Sequence, residues 1–127
     1  MIGTGFNKAE VEYAVALAVL KFQTEFMKSH YSRVHVQVCD ELIEVTLTRS
    51  APIPAEEKLA RSPEGRILLR QFYQALFDSC RDLLRERIEC AIGAKVESII
   101  NDIDLTAGKS TLFIRGNGTT GHSEFRP

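Results

Sequence analysis

The chain has 127 residues, enough for one domain with a single hydrophobic core. Its 16 basic and 17 acidic residues give a net charge of −1, which argues against a protein that binds nucleic acid or anionic lipid mainly through excess positive charge. The longest apolar run, Ala14–Leu20, is far shorter than the roughly 20 residues of a membrane-spanning helix. These features predict a soluble, cytoplasmic protein without membrane insertion.

The first predicted element is a helix. Asn7 is a candidate N-cap, and Glu10 occupies the position from which an acidic side chain completes a capping box. The helix is expected to end near Lys28. Its apolar stripe follows spacings of three and four residues: Val11, Val15, Ala18, Phe22 and Phe26. Leu17 and Leu20 lie off this stripe, so the helix is apolar on more than one side, which predicts contacts with a second surface.

A hairpin follows, because the apolar residues change to a period of two. With a two-residue turn at Asp40–Glu41, the predicted pairs are Val38–Ile43, Val36–Val45 and Val34–Leu47. All six apolar residues then share one face, and a one-residue slip would destroy this agreement. The opposite face carries His35, Gln37, Glu44 and Thr46.

Two prolines at 52 and 54 interrupt the chain, and a short helix over Ala55–Ala60 is expected after them. Ser62 is then the predicted cap of a long helix that has Pro63 in its first position and ends at Gly93. About 30 residues correspond to roughly 45 Å of helix, which is longer than a domain of this size is wide.

The long helix carries two neighbouring apolar stripes. The first contains Leu69, Phe72, Leu76, Cys80 and Leu83, and the second contains Phe77, Leu84, Ile88 and Ala91. We expect one stripe to face the sheet and the other to face a partner chain. The sequence therefore predicts a homodimer, with these candidate interface residues: Leu17, Leu20, Phe77, Leu84 and Ile88.

A second hairpin is predicted from Val96–Leu105 and Ser110–Arg115, with a turn at Ala107–Gly108. This turn would pair Ile103 with Leu112 and Asn101 with Ile114. Ile99 and Ile100 cannot both point inward, so a bulge or a strand start is expected there.

The order of elements, helix–hairpin–helix–hairpin, predicts an α+β fold of two layers (αββαββ). A four-stranded antiparallel sheet would carry the helices on one face, with the short helix preceding the long one. Residues 1–115 would form a single domain, and residues 116–127 a flexible glycine-rich tail.

The sequence patterns give little support to a catalytic, metal or cofactor site. Gly116, Gly118 and Gly121 match the dinucleotide fingerprint, but too few residues follow to form the required helix. Three cysteines without C-x-x-C spacing predict small buried side chains and no disulfide or zinc site. Two groupings remain open as alternatives: Cys39 with His35 and Glu44 on one strand face, and Asp102 with Asp104 on another. We expect no catalytic residue, metal or cofactor.

The arginines are the least ordinary feature of the sequence. They are concentrated on and just before the long helix, interleaved with acidic residues at helical spacing. A salt-bridged solvent face is the simpler interpretation. The alternative is a surface for docking a partner, with these candidate residues: Glu57, Lys58, Arg61, Arg66, Arg70 and Arg81.

Several residues carry a resemblance to a known family. They are Pro54 to Ala60 (PAEEKLA), Glu64-Gly65-Arg66, Arg81, Gly93 with Val96, and Asp102 before Gly108. Over residues 9–115 the chain resembles a bacterial family described as the C component of the Na+-translocating membrane potential-generating (Mps) system. The resemblance implies a small soluble partner of a membrane complex for ion or inorganic-carbon transport. It implies no catalytic residues.

The sequence and the resemblance therefore predict a non-enzymatic accessory or regulatory protein that binds a membrane transport complex. Two alternatives stay open. A small α+β domain can bind nucleic acid, although the balanced charge and the lack of an aromatic strand platform argue against this function. An enzyme with a hidden Cys39 or Asp102 site would require a deep pocket lined by those groups.

Overall fold

The computed structural model describes residues 7–27, 31, 33–49, 53–105 and 108–116. Its elements, in chain order, are α1 (Lys8–Phe22), a π-helical turn (Gln23–Met27), β1 (Arg33–Cys39), β2 (Leu42–Thr48), α2 (Pro54–Leu59), α3 (Pro63–Ile92), β3 (Val96–Asp104) and β4 (Lys109–Gly116). The four strands form one antiparallel sheet in the order β1-β2-β4-β3. The α+β fold with one long helix is therefore confirmed.

The start of α1 is fixed by the predicted capping box. The Asn7 side chain accepts a hydrogen bond from the Glu10 backbone nitrogen at 2.8 Å, and the Glu10 carboxylate accepts one from the Asn7 backbone nitrogen at 3.0 Å. At its other end α1 changes to the π-helical turn after Phe22. The predicted end at Lys28 lies outside the described residues.

The first hairpin has the predicted register. Val38 pairs with Ile43, Val36 with Val45 and Val34 with Leu47. The turn needs a positive φ, and because no glycine is present Asp40 adopts it (φ 53°). The predicted inner face is confirmed, since these apolar side chains are buried or half-buried while His35 and Gln37 are exposed on the other face.

The predicted register of the second hairpin is wrong by two residues. Asn101 pairs with Leu112 and Ile99 with Ile114, because the last pair of the hairpin is Asp104 with Lys109 and four residues, not two, separate the strands. A shift of two residues keeps every side chain on its predicted face. The irregularity in β3 occurs between Val96 and Ser98 and not at Ile99–Ile100, where it was expected. It allows both Val96 and Ile99 to point inward while Ile100 faces outward.

The long helix begins and ends as predicted. Ser62 accepts a hydrogen bond from the Gly65 nitrogen at 2.9 Å, Pro63 occupies the first turn, and Gly93 ends the helix in the left-handed conformation. The short helix α2 is also present, one residue earlier than predicted. The helix α3 therefore runs for 30 residues along the domain.

The core lies between the inner face of the sheet and the helices α1 and α3. From α1 it contains Val11, Val15, Val19 and Phe22, and from α3 it contains Phe77, Cys80, Leu84, Ile88 and Ile92. Phe77, Leu84 and Ile88 were predicted at a dimer interface, and this prediction is wrong. They form the same buried face as Cys80, because positions 77, 80, 84 and 88 repeat with helical spacing. Phe77 is 7% exposed and the other two are fully buried.

The predicted domain boundary moves by one residue. Gly116 is the last residue of β4, is buried, and donates from its backbone nitrogen to the Glu41 carbonyl at 2.9 Å. The rest of the predicted glycine-rich tail, including Gly118 and Gly121, lies outside the described residues.

Candidate functional site

A cavity of about 520 Å³ lies where the first half of α3 and the helix α2 meet one end of the sheet. Its apolar wall includes Leu47 and Leu112 from the inner face of the sheet, and Leu69, Leu76 and Phe77 from α3. This volume is within the range of small-molecule binding sites, which are mostly apolar and carry a few placed polar groups.

Arg49 organises the polar side of this cavity. It follows β2 directly, and its backbone nitrogen donates to the Gly108 carbonyl at 3.0 Å, which extends the pairing of β2 with β4. Its Nη1 donates to Glu56 Oε1 and its Nη2 donates to the Tyr73 hydroxyl, each at 3.1 Å. The Tyr73 hydroxyl in turn donates to the other oxygen of Glu56. The three side chains thus form a closed ring of hydrogen bonds that joins the sheet to α2 and α3.

Two aromatic rings also contact the Arg49 guanidinium. Its central carbon lies 5.4 Å from the centroid of the Tyr73 ring and 5.7 Å from that of Tyr31. The Arg49 side chain is only 18% exposed, so these contacts are screened less by solvent than those of a surface arginine. The guanidinium is held by a carboxylate, a hydroxyl and two rings at once.

This environment shifts two pKa values. Burial and the hydrogen bond to Glu56 raise the pKa of Tyr73 to about 12, because both favour the neutral phenol. Burial disfavours the Arg49 cation, but the hydrogen bond to Tyr73 and the nearby Tyr73, Tyr31 and Glu56 charges outweigh it and raise the pKa of Arg49. Arg49 is therefore a permanent cation, and Tyr73 stays a hydrogen-bond donor to Glu56 at neutral pH.

Glu56 reaches Arg49 because α2 packs closely on the start of α3. A methyl group built on Gly65 would lie 1.8 Å from the Leu59 carbonyl oxygen, so only glycine allows this approach. Arg66 Nη1 donates to the Ala60 carbonyl at 2.9 Å and joins the two helices a second time.

The predicted docking residues fall into two groups. Glu57 and Arg66 line the cavity, Lys58 and Arg61 are exposed beside it, and Arg70 Nη1 donates to the Ile103 carbonyl at 2.9 Å. Arg81 does not belong with them. It lies eleven residues beyond Arg70, about 16 Å along the helix, and pairs with Asp78.

An apolar patch, which the sequence analysis did not identify, lies beside the first group of docking residues. We define the α3 patch as Ile67, Leu68 and Phe72, which are 56%, 57% and 57% exposed. The residues of α3 that belong to the hydrophobic core begin at Phe77. The first half of the helix consequently leaves large apolar side chains in contact with solvent.

The alternative chemical groupings are not assembled. Cys39 and His35 are four residues apart on β1, about 13 Å, and Glu44 pairs with Gln37 between them. Asp102 and Asp104 are exposed and lie opposite Thr111 and Lys109. Within the described ranges no group of three His, Cys, Asp or Glu side chains could hold a metal ion.

The cysteine prediction is confirmed only for Cys80, which is buried in the core, whereas Cys39 and Cys90 are exposed. An exposed position at the end of an edge strand, or on the solvent side of α3, does not require a small apolar residue.

The expected salt bridges on the solvent face of α3 are present as Asp78–Arg81 and Asp82–Arg85.

The residues at the centre of the cavity were not predicted from the sequence. Arg49, Tyr73 and Tyr31 are separated by up to 42 positions, and none lies in a spaced motif. One signal was present: Arg49 directly follows a strand whose inner face is apolar, where a long cation can reach back over the sheet edge.

Comparisons with known proteins give one match. The family model described as "Na+-translocating membrane potential-generating system (MpsC)" matches residues 7–115. No curated protein and no solved structure matches the chain. In the part of the chain that the structure describes, no helix is both long enough and apolar enough to cross a membrane.

Proposed function

We propose a function for this chain from the family to which it belongs, the Na+-translocating membrane potential-generating system (MpsC) family. In such a system the chain is a non-enzymatic accessory protein. It binds a membrane-embedded transport protein from the cytoplasmic side and regulates it by contact.

The α3 patch is the observation that carries this proposal. Three large apolar side chains, all more than half exposed, lie within six residues on one helix. Leu68 and Phe72 are four residues apart and therefore share one face of α3, and exposed apolar surface of this kind is typical of protein–protein interaction sites. Lys58, Arg61 and Arg66 are exposed polar residues close to the patch in sequence, on α2, in the turn after it and in the first turn of α3.

The non-enzymatic part of the proposal is supported by the geometry of the cavity. Catalysis of acyl or group transfer needs a nucleophile and a base within hydrogen-bond reach. The groups at the cavity centre are a guanidinium, a carboxylate and a phenol of raised pKa, and they are bonded to one another. This ring of bonds stabilises the position of α2, which carries part of the docking surface.

Co-purification tests the proposal. The tagged chain is expressed in its native host, and membranes are extracted in mild detergent. We expect the wild type to retain a membrane protein that the double variant Leu68→Glu, Phe72→Glu loses. Ile100→Glu is the control, because it places a charge on an exposed apolar residue of the outer sheet face. Equal retention by the wild type and the α3 variant would contradict docking through the patch.

A further inference from the structure

The cavity around Arg49 has the features of a ligand site that none of the comparisons assigns. Its volume of about 520 Å³ can hold a small organic molecule, and its apolar wall is built by rigid elements. Leu47 and Leu112 are almost fully buried in the sheet, and Phe77 is buried in α3. The wall is therefore formed before any ligand binds.

Among the residues that the structure describes, the charges at the cavity balance. Three cations of this part of the chain line it, Arg49, Arg66 and Lys109, and so do three acids, Glu56, Glu57 and Asp104. Anion sites in proteins present cations or backbone nitrogens that are directed at the ligand. Here both terminal nitrogens of Arg49 already donate within the protein, and one terminal nitrogen of Arg66 donates to a backbone carbonyl. This arrangement does not favour a phosphate or a carboxylate.

A neutral polar pair lies on the inner face of the sheet, inside the apolar wall. The Ser110 hydroxyl donates to Asn101 Oδ1 at 2.6 Å, and both residues line the cavity. This bond uses the carbonyl oxygen of the Asn101 amide, so its NH2 group can donate to an acceptor on a bound molecule. One neutral donor in an apolar wall selects a carbonyl, ether or hydroxyl oxygen.

From these three observations we propose that the cavity binds an uncharged, mainly apolar organic molecule whose oxygen accepts a hydrogen bond from Asn101. The apolar part of the molecule lies against Leu47, Leu69, Leu76 and Leu112. This site is separate from the α3 patch, so the inference does not depend on the docking role.

The test uses Nile red, an uncharged dye with a carbonyl oxygen whose emission rises in apolar surroundings, on the full-length chain. We expect saturable binding of one dye per chain, and amide chemical-shift changes on titration at Leu47, Asn101 and Leu112. Asn101→Leu should weaken binding about five-fold, the effect of one neutral hydrogen bond.

Two variants that fill the cavity, Leu76→Trp and Ser110→Leu, should each weaken dye binding at least ten-fold. Circular dichroism shows which of the two variants is folded, and the dye affinity of a folded variant is compared with that of the wild type. The control Ile100→Gln removes exposed apolar surface on the outer face of the sheet and should leave the affinity unchanged. A folded filling variant that binds as tightly as the wild type would overturn the proposal. So would a loss of binding in Ile100→Gln, the absence of saturable binding, or tighter binding of the anionic dye anilinonaphthalene sulfonate at the same residues.

Discussion

At the scale of single residues, Arg49 connects four parts of the molecule. It contacts Glu56 on α2, Tyr73 on α3 and Tyr31 before β1, while its own backbone belongs to the sheet. Each interaction is modest, since an exposed ion pair contributes 0–1 kcal/mol and a cation–π contact on the order of 1 kcal/mol. They act on one partly buried group, so they are lost together.

Replacing Arg49 should therefore be more costly than replacing a surface arginine. We expect Arg49→Met to lower the free energy of unfolding by about 1–3 kcal/mol, because it leaves the Glu56 carboxylate without its cation. Urea denaturation measures the change, and Arg33→Met, at an exposed position of β1, is the control. Equal losses for the two variants would contradict the role given to Arg49.

Tyr73 gives a prediction about pH. Its pKa is raised to about 12, so the folded protein holds this proton more tightly than the unfolded chain, whose tyrosines titrate near 10. The contribution of this proton to the free energy of unfolding is complete below pH 10 and is lost as the pH rises from about 10 to 12. An ultraviolet titration of the folded wild type should show one phenol with a pKa of about 12, absent from Tyr73→Phe. The same late transition in that variant would assign it to another tyrosine.

At the scale of elements, the contact of α2 with α3 depends on Gly65. Gly65→Ala would place a methyl group 1.8 Å from the Leu59 carbonyl oxygen, which is backbone and cannot rotate away. We expect a loss of about 1–3 kcal/mol, as for overpacked sites, although alanine usually favours a helix. The control Gln71→Ala, at an exposed site on α3, should change stability by less than about 0.5 kcal/mol. A thermal melt of each variant decides between these results, and a stabilised Gly65→Ala protein would contradict the close packing.

The two hairpins show why some registers follow from sequence and others do not. In the first, three apolar pairs and a two-residue turn allow a single alignment, which is the observed one. In the second, an alignment shifted by two residues keeps the same faces, so the apolar pattern cannot distinguish the two. Only the four-residue loop decides between them.

The candidate site was predictable only in part for a similar reason. Glu57 and Arg66 could be placed near each other because α2 and α3 are adjacent in sequence. Arg49 and Tyr73 meet because the sheet brings the end of β2 beside the first half of α3, and this contact has no local signal. The apolar stripe of α3 that contains Phe77 was predicted to contact a partner chain. The length of the helix did not show how much of it the sheet and α1 cover.

At the scale of the whole molecule, α1 still presents the second apolar side that its sequence predicted. Leu17 and Leu20 are 45% and 38% exposed, and Tyr13 lies on the same side at a helical spacing. We predict a homodimer through this side of α1. Sedimentation at high micromolar concentration should give twice the monomer mass for the wild type and the monomer mass for Leu17→Glu, Leu20→Glu. A monomeric wild type would contradict this prediction, and Leu68→Glu, Phe72→Glu should remain dimeric.

The most direct test of the docking proposal is the membrane potential of the native host, followed with a potential-sensitive dye. The gene is deleted and then replaced by the wild type, by Leu68→Glu, Phe72→Glu, or by Ile100→Gln, each at equal protein level. We predict that deletion lowers the potential, that the wild type and Ile100→Gln restore it, and that the α3 variant does not, although it is folded. Full restoration by the α3 variant would show that the patch is not the surface through which the chain acts.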